Sequence, residues 1–147
     1  MKTKEQKAIQ FFRSGSNCAQ SVLSAYSGDL KIDNTLAMSI SSGFGGGMGR
    51  LQRTCGAATG AFMVLGVFNS QKYADSKESK EQTNLMIQKF ADKFIAIHGS
   101  LVCKTLINSD LNSEKGRQLA REKNLFEEVC EKCVLDSIMI VDELIEI

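Results

Sequence analysis

An all-α fold, a single compact multi-helix domain of about six to seven helices, is what the chain predicts. Three observations carry that expectation. No proline occurs in its 147 residues, strand signals are scarce, and apolar residues recur at helical spacing along most of the length. The size suits one domain with a real core, and no repeat, linker or low-complexity segment divides 1–147. Hydrophobic residues at 43% and charged residues at 24% place it among ordinary globular proteins rather than disordered or membrane chains. The net charge is +1, without a basic run or aromatic-basic interleaving, so a nucleic-acid partner is not expected.

Each helix has its own signal. Ala8, Ile9, Phe11 and Phe12 mark the first, which Gly15 closes as the residue after the cap. Asn17 and Gln20 form a capping box for the second. Val22, Leu23 and Tyr26 then face the core, and Gly28 is expected to end that helix. Asp33 caps a short third helix with Leu36, Ala37 and Ile40 directed inward.

After a glycine-rich stretch, Thr54 reads as the N-cap of a helix from Cys55 to about Phe68. A long fifth helix fits Asp75 to His98, with Leu85, Ile87, Phe90, Phe94, Ile95 and Ile97 on a broad apolar face. A connection containing Cys103 and a shorter helical piece, Glu114 to Arg121, follows. The final helix is expected from about Glu122 to Glu146, carrying Leu125, Phe126, Val129, Cys133, Ile138, Val141 and Leu144.

The N-terminus has lysines but no continuous apolar core, unlike a secretory signal. The longest apolar run, Ala57 to Phe68, contains Thr59, Gly60 and Gly66 and is too short to span a bilayer. The expected location is cytoplasmic, with no direct membrane insertion.

Chemistry concentrates in Ser41 to Phe62, SSGFGGGMGRLQRTCGAATGAF, which holds seven of the twelve glycines. It is not a phosphate loop: no Gly-x-x-x-x-Gly-Lys-Ser/Thr string exists, and the Gly-x-Gly-x-x-Gly register ends on Met48 or Arg50. Cys55 is the informative residue. With Thr54 as N-cap it becomes the first helical residue, where free N–H groups and the macrodipole favour an anion. Arg50 and Arg53 upstream add positive potential, the environment that turns a thiol into a thiolate.

Cys18 repeats that placement behind Asn17, so both cysteines are candidates for activation. If the two helix starts converge, a reversible disulfide can form. Gly56 and Gly60, beside Ala57 and Ala61, form a smooth surface open either to helix packing or to a ligand. Together with Gly45, Gly46 and Gly47 they are the candidate substrate-binding positions.

Five cysteines in a reducing compartment point to catalytic, redox-sensing or metal-binding thiols rather than a permanent disulfide framework. His98, the single histidine, reads as a C-terminal capping residue of the long helix rather than a proton shuttle. Cys130 and Cys133 form a C-x-x-C inside a helical pattern. No second pair completes a zinc site, and no histidine follows Cys133 for haem attachment.

Taken together, these positions resemble the C_GCAxxG_C_C family of redox-active bacterial proteins. The matching elements are Asn17-Cys18-Ala19-Gln20-Ser21-Val22, then Cys55-Gly56-Ala57-Ala58-Thr59-Gly60 behind Gly43 to Gly49. Gly99-Ser100-Leu101-Val102-Cys103-Lys104-Thr105-Leu106 and Cys130 complete the pattern. The likeness runs from about Asn17 to Ile147. Cys133 has no counterpart in it and reads as an extra core residue.

The resemblance implies thiol-based redox chemistry. Cys18 and Cys55 would be the activated thiols, with Cys103 and Cys130 as resolving or relay partners. The competing readings are a metal or iron–sulfur site built from the same four cysteines, and a non-catalytic module binding a small molecule or partner. The cofactor, the redox partner or small molecule, and homo-oligomerisation stay open. Convergence of Cys18, Cys55, Cys103 and Cys130 in the fold is the feature that separates a shared site from scattered core cysteines.

Overall fold

The computed structural model describes residues 2–145. Among them lie nine α-helices, seven of which have at least eight residues. The count exceeds expectation because two short helices, of four and five residues, carry too little periodicity to read.

Helix α1 (Lys4–Arg13) starts at a Thr3–Gln6 capping box and turns at Gly15, whose φ is +109°. Helix α2 (Cys18–Ala25) opens as expected: the Gln20 N–H donates to the Asn17 side chain and the Asn17 N–H donates back to Gln20, both at 2.9 Å. Gly28 does not end α2. It lies within the four-residue α3 (Ser27–Leu30), which stops where Lys31 turns left-handed.

Asp33 caps α4 (Asn34–Ser41). Only Ala37 and Ser41 of that helix are buried, so Leu36 and Ile40, expected inside, stand 56% and 54% exposed. A 3-10 turn (Ser42–Phe44) leads into the glycine loop.

Two long helices follow, α5 (Gly56–Lys72) and α6 (Ser76–His98), the latter capped by Asp75 and closed by left-handed Gly99. Phe90 and Phe94 are the fully buried large residues of α6, while Leu85, Ile95 and Ile97 are exposed. Its apolar face is narrower than expected because the helix packs mainly against α5 and α9 (Glu131–Ile145).

Between α6 and α9 lie α7 (Cys103–Ile107) and α8 (Glu114–Glu122). The helical run breaks at Lys123–Asn124, where Asn124 has φ +55°. A π-helical turn (Phe126–Cys130) then runs into α9. The expected final helix is therefore interrupted near its start, and its expected end at Glu146 lies outside the described residues. No helix among the described residues is long and apolar enough to cross a membrane.

Helix α5 occupies the centre, packed against α2, α6 and α9, and α1 closes against α2 and α9. Tyr26, Val64, Leu65, Phe90, Phe94 and Ile138 fill this main core. The Tyr26 hydroxyl donates to the Asp142 carboxylate at 2.6 Å, and Arg13 grips the buried Glu131 through two 2.9 Å bonds, tying α1 to the first turn of α9. A second, smaller apolar cluster joins Cys103, Ile107, Leu111 and Ala120 to Leu125, Phe126 and Cys130. This second cluster, the cap, meets the main core at the cysteines.

The α2–α5 contact sets the spacing of the site. A Cβ at Gly60 would lie 2.8 Å from the Ala19 carbonyl oxygen, closer than real contacts allow. Gly60→Ala adds about 1 kcal/mol of helix propensity, but overpacking against backbone costs about 1–3 kcal/mol. The expected result is a net loss of stability, read as a lower midpoint in urea unfolding.

Candidate functional site

The glycine loop is wound the unusual way. Five consecutive residues, Gly46 to Arg50, have φ between +60° and +70°, and Gln52 follows at +57°. L-residues resist this region, and glycine does not. At Gly47 space adds to conformation: a Cβ there would meet the Gln52 Cα and Arg53 N at 2.6 Å and the Cys103 Cβ at 2.7 Å. The loop folds onto itself through Gly49 N–H to the Gly43 carbonyl (2.7 Å) and Arg53 N–H to the Gly47 carbonyl (3.0 Å).

The chain leaving the loop pairs with the segment before α7. Thr54 and Val102 form an isolated antiparallel bridge. The Cys55 N–H donates to the Leu101 carbonyl at 2.7 Å, and the Cys103 N–H to the Arg53 carbonyl at 2.6 Å. Thr54 is consequently not the N-cap. Its backbone is committed to the bridge, so α5 begins one residue later and Cys55 itself is the N-cap.

The other thiols arrive from two more directions. Cys18 is the first residue of α2, as expected, and its Cβ lies 3.2 Å from where a Gly56 Cβ would be. Cys130 ends the π-helical turn and Cys133 sits in the first turn of α9. All five cysteines line one cavity of about 40 Å³, together with Gly46, Gly47, Gly56, Leu106, Leu111 and Val129. All five are free thiols.

The convergence includes Cys133. It is a core residue, 1% exposed, and also a wall of the cavity. The C-x-x-C spacing ties it to Cys130, since three residues apart on a helix places both side chains on one face, but it carries no sign of Cys55. His98 stands elsewhere, with its Nε2 2.9 Å from the Asp136 carboxylate and its ring 4.6 Å from that of Phe94.

Of the candidate glycines, Gly46, Gly47 and Gly56 line the thiol cavity. Gly45 and Gly46 line an adjoining open cleft of about 590 Å³. Gly60 faces Ala19 and Val22 in the helix contact and lines neither.

Cys18, Cys55, Cys103 and Cys133 are electrostatically unequal. Cys55 is held below the usual cysteine range, first by a hydrogen bond from the Cys133 thiol, with the Ala57 and Ala58 N–H groups adding to it against the penalty of burial. Cys133 is driven far up by the same hydrogen bond, by burial and by the charge on Cys55. Cys18 is also pushed well up, first by hydrogen bonding with Cys130 and then by burial. The expected activation of Cys18 is thus reversed, because its place at a helix start is outweighed by desolvation and by the thiols around it. Burial pushes Cys103 up to about 12, partly offset by a hydrogen bond with Gln52.

Among the described residues, no group of three or more His, Cys, Asp or Glu side chains is arranged to hold a metal ion. The thiols instead meet as two adjoining pairs, Cys55 with Cys133 and Cys18 with Cys130.

Residues 16–144, which include all five cysteines, match the model of a family described as "Putative redox-active protein (C_GCAxxG_C_C)". The chain belongs to this family. No curated protein and no solved structure matches it. Membership agrees with a redox role for the thiols that the fold brings together.

Alkylation with iodoacetamide across pH, read by peptide mass spectrometry, should show Cys55 reacting at lower pH than Cys18, Cys103 or Cys133. In Cys133→Ala the Cys55 profile should move to higher pH, since the hydrogen-bond donor is gone. A second expectation concerns stability. Cys103 ionises in the unfolded chain near its ordinary 9.0 but in the fold only near about 12. The unfolded state therefore binds fewer protons in that window, and its contribution to stability is lost as pH rises through it. Urea unfolding of Cys103→Ala should show a shallower fall in stability with pH than the parent chain.

Proposed function

We propose that the protein is a thiol–disulfide redox protein of a reducing, cytoplasmic compartment, with Cys55 as the attacking thiolate and Cys133 as its resolving partner. One observation carries this reading: Cys55, at the N-cap of α5, adjoins the Cys133 thiol and faces the Ala57 and Ala58 N–H groups. These three donors stabilise negative charge on one sulfur, while Cys133 keeps its proton.

The reaction follows from that asymmetry. The Cys55 thiolate attacks one sulfur of a disulfide, R–S–S–R, forming a mixed disulfide and releasing one R–S⁻, which takes up a proton. Once Cys55 is neutralised as a disulfide, the charge that held the Cys133 proton in place is gone. Cys133 loses that proton and attacks the Cys55 sulfur, releasing the second R–S⁻, which is protonated in turn. Two electrons and two protons pass to the substrate, leaving a Cys55–Cys133 disulfide. Cys18 and Cys130 adjoin the same cavity as a second dithiol able to return electrons by exchange. Cys103, high in pKa and anchored beside the loop, fits a relay position rather than an attacking one.

The test is trapping. A small disulfide added to Cys133→Ser should leave a stable mixed disulfide on Cys55, detected by mass, where the parent chain forms an internal disulfide. Cys55→Ser should lose at least about 100-fold in oxidation rate, the order expected for loss of a nucleophile activated by its surroundings. Oxidation of Cys55→Ser at the parent rate would rule the assignment out.

A further inference from the structure

A cavity of about 40 Å³ has room for little more than a water molecule. Cys55 is only 6% exposed, beyond the reach of a disulfide fixed in a folded protein's surface. The body of any substrate must rest next door. Next door is the open cleft of about 590 Å³, within the range of small-molecule sites. Gly46 and Leu111 line both spaces, so the wall between cleft and thiols includes a position without a side chain.

The cleft is cationic. Arg50, Arg117 and Arg121 line it. Arg117 is held in place by the Leu111 carbonyl at 2.8 Å and by Glu114 at 3.0 Å, and Arg121 lies 3.6 Å from the same Glu114 carboxylate. Among the described residues Arg50 makes no ion pair. Two of the three guanidinium groups thus share one carboxylate, Glu114, which is itself 77% exposed. Arg50 is also placed by the loop: a Cβ at Gly46 would lie 2.9 Å from the Arg50 Cγ. The left-handed turn that shapes the thiol cavity therefore also lays this arginine over the cleft.

We propose that the cleft receives an anionic low-molecular-weight disulfide, its negative groups held by Arg50, Arg117 and Arg121 and its S–S bond directed past Gly46 to Cys55. The proposal rests on the thiol chemistry above and names its substrate class. The balance is one substrate disulfide and two protein thiols giving two substrate thiols and one protein disulfide. Guanidinium forks match carboxylate and phosphate oxygens, and a cationic rim concentrates such substrates beside the thiols.

Two probes with the same reacting bond separate charge from chemistry: 3,3′-dithiodipropionate, with two carboxylates, and the neutral bis(2-hydroxyethyl) disulfide. At low salt the reduced protein should react with the dianion on the order of tenfold faster, and high salt should erode the difference. Arg50→Gln combined with Arg121→Gln should bring the ratio near one, while Glu114→Gln, which frees two arginines, should raise it. Calorimetry of dithiodipropionate on Cys55→Ser reads binding without reaction, and binding should be lost in the arginine variants. Equal rates for both probes with no measurable binding would overturn the anion site. Saturable, arginine-dependent binding without oxidation by either probe would keep the anion site and overturn the thiol chemistry.

Discussion

The start of α5 is the point on which the rest of the site depends. Its backbone is held on one side by the bridge to Val102 and the bond to Leu101, and on the other by the close approach of α2 at Gly56 and Gly60. These contacts involve main chain more than side chain. They place Cys55 within reach of Cys18, Cys103 and Cys133 before any sulfur chemistry is considered. The left-handed loop is the means by which the chain reverses tightly enough to enter this junction, and its glycines serve that geometry rather than a phosphate.

Within the cavity, proximity alone would make every thiol harder to ionise, since desolvation and neighbouring negative charge act in that direction. Cys18, Cys103 and Cys133 follow that rule. Cys55 departs from it because it faces donors: a partner thiol and the Ala57 and Ala58 N–H groups at a helix start. The cluster therefore sets Cys55, shifted down, apart from Cys18, Cys103 and Cys133, shifted up, which is the asymmetry that directional thiol exchange requires.

Much of this was legible in residues. The Asn17 and Asp33 caps, the all-helical class and the four patterned cysteines are all readable, because capping chemistry and apolar periodicity are local. The failures have non-local causes. Thr54 looked like a cap until Val102, 48 positions later, claimed its backbone. Cys18 looked activated by its helix position, and its environment is set by Cys130 on a distant turn. Leu36 and Ile40 lie on an amphipathic pattern that no second helix covers. Cys133 reads as core alone, since nothing in its own neighbourhood reveals that Cys55 faces it.

The thiols also lie on the seam between two apolar clusters. Cys18, Cys55 and Cys133 belong to the main bundle, and Cys103 and Cys130 to the cap. A bond across that seam is a mechanical clasp as well as a redox event. Joining Cys18 to Cys130 would close most of the chain into one loop, and a closure of about 100 residues is worth on the order of 4–5 kcal/mol against unfolding. By thermodynamic reciprocity the fold returns that preference to the disulfide, at about 30 mV for every 1.4 kcal/mol. How strongly that disulfide holds the fold against unfolding and how readily its two thiols give up electrons are, at this seam, one quantity measured in two units.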